Sequence, residues 1–281
     1  MAPVRFEKWQ ALGNDYLIVE RGTLDLTPQT VRRLCDPHFG PGGDGVLELS
    51  PPTERGYVAR LRIFNPDGSE AELSGNGARQ AILYLRRAGW TSADTFSLQT
   101  AAGEIRPMIT GPTTCRVDMG RATLRSKDYP GGPPGGQGEV GGYRFQHVSI
   151  GNPQCAIHIP DRDTLEQLDL AAIGPAIEHA AQFPNRTNTS FWTALDPATI
   201  RARIFERGVG ETLSSGTGAC GAAVAHVLRG GDSPVTVRLD GGELDVDVDE
   251  ALHVDLTGWA VPVYRGELSE ELLAELSHPK G

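Results

Sequence analysis

The sequence predicts an α+β protein of two pseudo-symmetric halves, each an antiparallel-rich mixed sheet wrapped around a central helix. Three observations carry this. A Gly/Pro-rich run, SKDYPGGPPGGQGEVGG at 126–142, lies at the midpoint of the 281-residue chain. A sparse motif set repeats across that midpoint: Leu12-Gly13-Asn14 matches Ile150-Gly151-Asn152, and Phe-x5-Glu-x3-Ser-Gly-x-Gly occurs as Phe64, Glu70, Ser74-Gly75-Asn76-Gly77 and again as Phe205, Glu211, Ser215-Gly216-Thr217-Gly218. In both halves a helical period follows the Ser-Gly motif and then gives way to strand alternation.

The elements follow in order. Ala78, Ala81, Ile82, Leu85 and Ala88 form an apolar stripe at helical spacing that starts at Ser74-Gly75 and stops at Gly89. From Phe96 to Met119 the chain alternates loosely, with turns at Ala102-Gly103 and Gly111-Pro112. The 126–142 run is expected to hold no regular element, because its glycines and prolines break both periods and its polarity leaves nothing to bury. The second helix, with Ala219, Ala222, Ala223, Val224 and Val227 ahead of Gly230-Gly231, is small and apolar all round and should be sheathed by sheet. A three-stranded meander follows at Val235–Leu239, Leu244–Val248 and Leu252–Leu256, turning at Gly241-Gly242 and Glu250-Ala251. The expected division is 1–122 and 123–260, with the tail 261–281 returning to the first half and a cleft between the halves.

Composition narrows the function. Hydrophobic residues at 39% and charged residues at 22% are globular values, and no stretch approaches the roughly 20 apolar residues of a membrane helix. The N-terminus lacks a signal-peptide pattern, so a cytoplasmic location is expected. A net charge of -10 argues against nucleic acid, whose phosphates need a basic face, and points to small molecules. Only Lys8, Lys127 and Lys280 could form a pyridoxal Schiff base, and none is well placed; the four cysteines and seven histidines show no metal-ligand spacing. No cofactor and no metal are therefore expected.

Each Ser-Gly opens a helix, and helix N-termini offer unpaired N–H groups and partial positive charge to a carboxylate. The repeat would set Ser74 and Ser215 on opposite faces of one ligand, with Asn14 and Asn152 as neutral donors and acceptors. That suits removal of a proton from one face of a carbon and return of one to the other. The competing assignments are plainer: serine is a good N-cap and asparagine a good turn residue. Asp44 reads as a turn former, His38 and His158 as structural, and Cys220 as a small core residue.

The chain also resembles the diaminopimelate epimerase family along nearly its whole length, in ALGNDYLIVE, LCDPHFGPGGDGVLEL, FNPDGSEAELSGNGAR, GNPQ, FPNRTNTSF and FERGVGETLSSGTGACGAA. The resemblance implies that family's fold and a cofactor-independent amino-acid epimerase converting LL- to meso-diaminopimelate for lysine and peptidoglycan synthesis. It implies catalytic groups at 74 and 215, and substrate contacts from Asn14, Asn65, Asn152, Asn188, Glu206 and Arg207. Gly75-Asn76 and Gly216-Thr217 would hold the reacting α-carboxylate. The partner is a small amino acid, and a homodimer is the candidate assembly.

The sequence departs from the family pattern where the usual catalytic cysteines are replaced by Ser74 and Ser215. A thiol ionises at about 8.5, whereas a hydroxyl needs a neighbouring base. Gln80 stands in place of a cysteine often found after Gly-x-Arg, and Gln154 replaces the histidine of the usual Gly-Asn-Pro-His. Glu70, Glu206 and Glu211 are left as candidate bases. The alternatives are a divergent isomerase or dehydratase on the same fold, a homologue that binds ligand without chemistry, or a Cys-to-Ser variant. Gly216–Gly221 also spells GxGxxG, but no tight strand-to-helix turn precedes it, and neither serine lies in GxSxG.

Overall fold

The computed structural model describes residues 3–71 and 74–277. The chain forms two compact units, one of residues 1–115 with 259–281 and the other of residues 116–258.

The first unit begins with a hairpin of β1 (Arg5–Ala11) and β2 (Asn14–Glu20). Its two-residue turn is Leu12-Gly13, with φ of 53° and 82°. Such a turn matches the twist of the flanking strands, which explains why an apolar residue and a glycine precede Asn14. Helix α1 (Pro28–Cys35) then crosses to β3 (Val46–Ser50), which is parallel to β2. Strand β4 (Ala59–Phe64) carries the short β5 (Glu70–Ala71) and leads to α2 (Gly75–Arg87), followed by β6 (Leu98–Thr100) and β7 (Gly103–Ile105).

Past β7 come β8 (Pro107–Gly111) and β9 (Thr114–Arg121), which lie not in the first sheet but at the end of the second. The loose alternation over 96–119 is thus divided between two sheets, and the unit division at Cys115 falls inside β9, ahead of residue 122. The reason is that Arg116 on β9 pairs with Asp255 of a later strand, His253–Trp259, which takes β9 as its neighbour in the second sheet.

The second unit repeats the plan. Strand β10 (Gln137–Val140) pairs with β11 (Tyr143–Ser149), then β12 (Pro153–His158), α3 (Arg162–Glu166) and α4 (Leu170–Glu178) lead to β13 (Asn188–Asp196). After β14 (Thr199–Glu206) and the short β15 (Gly210–Thr212) comes α5 (Gly216–Leu228). The meander follows as β16 (Val235–Leu239), β17 (Gly242–Val248) and β18 (His253–Trp259). Last come β19 (Val261–Glu267), which pairs with β1, and α6 (Glu270–Ser277).

The repeat is visible in the strand pairings. In the first unit β1–β2 is antiparallel, β2–β3 parallel, β3–β4 antiparallel, β4–β6 parallel and β6–β7 antiparallel. In the second, β11–β12, β12–β13, β13–β14, β14–β16 and β16–β17 follow the same alternation. Helix α5 touches six strands of its unit, β11 to β14, β16 and β17, as its all-round apolar surface requires. Helix α2 keeps one polar face and lies against β1, β2 and β3.

The 126–142 run corrects the expectation that it holds no element. It contains β10, closed onto β11 by Gly141-Gly142 with φ of 57° and 82°, and it buries Tyr129. The Tyr129 ring meets Phe145, and both meet Phe183 at centroid distances of 5.4–5.5 Å. A single aromatic of this size buries 150–250 Å², enough to anchor an otherwise polar segment.

One glycine controls how β14 delivers its last residue. A Cβ at Gly174 of α4 would stand 2.4 Å from the buried Phe205 ring, next to Glu206. Gly174→Ala is therefore expected to destabilise the protein by roughly 1–3 kcal/mol, read as a lower urea midpoint at unchanged slope; an unchanged midpoint would disprove this close fit.

Candidate active site

Both serines are helix N-caps. Ser74 Oγ accepts from Gly77 N–H at 3.1 Å and Ser215 Oγ accepts from Gly218 N–H at 3.2 Å. The plainer assignment is thus satisfied, but each hydroxyl also has a second partner, and these differ in kind. Ser215 donates to Glu206 Oε2 at 3.0 Å, while Thr212 donates to Glu206 Oε1 at 2.8 Å. Ser74 accepts from the phenol of Tyr16 at 3.3 Å.

Of the three candidate bases, only Glu206 reaches a serine. Glu70 is committed to Arg62 through two bonds of 3.0 and 2.8 Å. Glu211 is held by Arg203 Nε at 3.0 Å and Nη2 at 2.6 Å. These are counterparts, each carboxylate eight residues past its arginine, and they clamp β5 onto β4 and β15 onto β14. Burial pushes the Glu206 carboxyl above the usual carboxylate range, against the pull of its two hydroxyl donors, whereas the Arg62 bonds hold Glu70 below it. A carboxylate with raised basicity on a hydroxyl proton is the arrangement that activates a weak acid.

The asparagines are fixed by neighbours rather than standing loose. Asn14 donates to Asp44 Oδ2 at 2.9 Å, and Asp44 also accepts from the Asp15 N–H at 3.0 Å. Asp44, read from the sequence as a turn former, orients a candidate substrate contact; no local signal marks that role, since the bond joins residues 30 apart. Asn152 donates to Thr217 Oγ1 at 3.1 Å, and Gln154 donates to the same oxygen at 3.1 Å and to Asn152 Oδ1 at 2.7 Å. Asn188 accepts from the Arg207 N–H at 2.9 Å and donates to Pro153 O at 3.0 Å. Asn76 is buried and accepts from Arg79.

Among the described residues Asn65 hydrogen-bonds only locally, across the Asn65–Ser69 turn, and to neither Ser74 nor Ser215. Arg207 is exposed, with its guanidinium on Asn185 O at 2.9 Å. Gly75, Gly216 and Thr217 occupy the first turns of α2 and α5. The residue that sequence reasoning missed is Tyr16. It lies in ALGNDYLIVE, but its alternating position suggests only a core aromatic.

The two glutamines at departure positions share a feature. The Oε1 atoms of Gln80 and Gln154 are buried with no hydrogen-bond partner among the described residues. Unpaired buried carbonyls are uncommon. Gln80 donates to Asn14 O at 2.9 Å, and Gln154 lies so close to α5 that a Cβ at Gly221 would be 2.8 Å from its own. Among the expected structural residues, His158 packs edge-on against Trp192, and all four cysteines are buried and form no disulfide among the described residues.

The two units, each with a capped serine, have a fold that is also seen in solved structures of low sequence identity. A Bacillus anthracis phenazine biosynthesis protein of the PhzF family aligns with a TM-score of 0.68 at 17% identity, covering 96% of this chain and 100% of the other. A hydroxyproline epimerase from Agrobacterium vitis aligns with a TM-score of 0.67 at 15% identity, covering 95% and 93%.

Sequence similarity is more specific. The diaminopimelate epimerase family model matches residues 6–125 and 146–266. Diaminopimelate epimerases from Synechococcus sp. (strain JA-2-3B'a(2-13)) and Pelotomaculum thermopropionicum are each 40% identical, covering 93% and 94% of this chain and 96% and 98% of their own. The chain belongs to the diaminopimelate epimerase family.

Proposed function

We propose that this protein is a cofactor-independent isomerase that epimerises LL- to meso-diaminopimelate, with Ser74 and Ser215 as its acid–base groups. The observation that carries the reading is the Ser215–Glu206 bond: a family member without the usual thiols has a carboxylate on the hydroxyl that takes their place. On that side Ser215 takes the α-hydrogen as its own proton passes to Glu206. The C–H and Ser215 O–H bonds break, new O–H bonds form at Ser215 and Glu206, and the electron pair remains on the α-carbon. A proton from the Ser74 side completes the inversion.

Gly75-Asn76 and Gly216-Thr217 are the candidate groups for the α-carboxylate, because helix N-termini offer N–H groups and a dipole that favour an anion. Asn14, Asn65, Asn152, Asn188, Glu206 and Arg207 would bind the rest of the substrate. The candidate partner is this amino acid, with a homodimer as the assembly. Lys8 is engaged by Asp15 at 2.9 Å and by Gly42 O, which argues against a Schiff-base role for it. No helix among the described residues is long and apolar enough to cross a membrane. Four buried cysteines with no disulfide among the described residues suit a reducing cytoplasm.

The test is incubation with LL-diaminopimelate in deuterium oxide, following configuration and α-deuterium together. Inversion with label uptake is expected. Binding without exchange would make the protein a ligand-binding homologue, and loss of water or a shifted double bond would make it a different isomerase or a dehydratase; either overturns the reading.

A further inference from the structure

The two serines are wired in opposite senses. Ser215 donates its proton to a carboxylate, whereas Ser74 accepts from both Gly77 N–H and the Tyr16 phenol, so its own proton is not used in either bond. Nor are the partners equivalent by the internal repeat. Tyr16 stands three places after Gly13 as Gln154 stands three after Gly151, yet Gln154 bonds Asn152 and Thr217 and not Ser215. Glu206 follows Phe205 as Asn65 follows Phe64, yet Asn65 bonds Ser69 and not Ser74. Each half therefore recruits its second hydroxyl partner from a different strand.

The Tyr16 ring is also held in place. It is buried, and a Cβ at Gly45 would lie 2.5 Å from its Cε1 and 2.4 Å from Phe64 O, so only glycine at 45 permits the ring to lie where its hydroxyl meets Ser74.

Taking Ser74 as an acid–base group, on which this inference rests, we propose that Tyr16 is the positioning and relay residue of that side, making Ser74 the proton donor of the pair and Ser215 the acceptor. A phenol ionises near 10 and is a stronger acid than an alkyl hydroxyl. When Ser74 protonates the α-carbanion, a C–H bond forms and the Ser74 O–H bond breaks. The Tyr16 proton crosses to Ser74 Oγ, and the charge rests on the phenolate until it takes a proton from water. In the reverse sense the phenolate draws the Ser74 proton as Ser74 takes that of the substrate.

The experiment uses Tyr16→Phe, which removes one oxygen and keeps the ring, in deuterium oxide with LL- and with meso-diaminopimelate, reading exchange with retention against inversion at low conversion. From the configuration that loses its hydrogen to Ser215, exchange with retention should persist within about twofold while inversion falls, raising their ratio at least about tenfold, an effect within the range of one acid–base group. From the opposite configuration both should fall. Ser74→Ala should give the same pattern, and thermal melts should show both variants folded. A wild-type protein that exchanges neither isomer overturns the diaminopimelate reading and this inference with it. Wild-type turnover with an unchanged ratio in Tyr16→Phe, or the shift in Ser74→Ala alone, overturns the Tyr16 assignment and leaves the parent reading intact.

Discussion

Glu206→Gln should lower α-hydrogen exchange by about 100-fold or more, since general base catalysis contributes roughly 10²–10⁴ and no other described carboxylate bonds Ser215. Glutamine keeps the shape but cannot take the Ser215 proton. The variant should nevertheless fold, and its stability carries a second signature. Burial raises the Glu206 carboxyl on folding, so the native state binds more protons than the unfolded chain between the ordinary carboxylate range and the raised value. Stability from this group is present below that window and is lost as pH rises through it. Glu206→Gln removes the loss, so its melting temperature relative to wild type should rise as the pH climbs above the ordinary carboxylate range. A variant that keeps its exchange rate would remove Glu206 from the mechanism; a flat difference in melting temperature would show that the carboxyl is not desolvated as placed.

The second large effect is a gain. Replacing both serines together, Ser74→Cys with Ser215→Cys, should raise epimerase turnover at least about tenfold, equivalent to about 1.4 kcal/mol off the barrier. A thiol ionises much nearer neutrality than a hydroxyl, and acid–base efficiency improves as the catalytic pKa nears the working pH. Each single change should give less, because one face must accept a proton while the other donates. The gain comes with a loss of stability, since sulfur is a poorer cap for Gly77 and Gly218; replacing a good N-cap costs about 1 kcal/mol per helix. Turnover measured beside urea unfolding separates the two. A fall in turnover at unchanged substrate affinity would mean that Tyr16 and Glu206 have committed the site to hydroxyl chemistry.

Much of this was legible because the repeat writes local rules twice. Leu-Gly-Asn marks a hairpin turn that needs a left-handed backbone, and Ser-Gly-x-Gly marks a capped helix start. The pattern of α5, apolar on every face, could only be satisfied inside a sheet. The 126–142 run was misread because a strand of four residues, Gln137–Val140, carries almost no periodicity and is fixed by its hairpin partner instead. The segment 96–119 was misread as one meander because alternation says that a strand has two faces, not which sheet receives it.

The site divides along the same line. Sequence by itself determined the two-unit α+β plan, the helix starts at Ser74 and Ser215, and the likeness to the diaminopimelate epimerase family. These depend on turn geometry, capping and periodicity, which act over a few residues. Only the tertiary structure decided that Glu206 rather than Glu70 or Glu211 bonds Ser215, and that Tyr16 bonds Ser74 across 58 residues of chain. The three glutamates are chemically alike as letters. Strand register brings Arg62 and Arg203 onto two of them and leaves the third half-buried against a hydroxyl, and that desolvation, which a sequence does not state, is what makes it a stronger base.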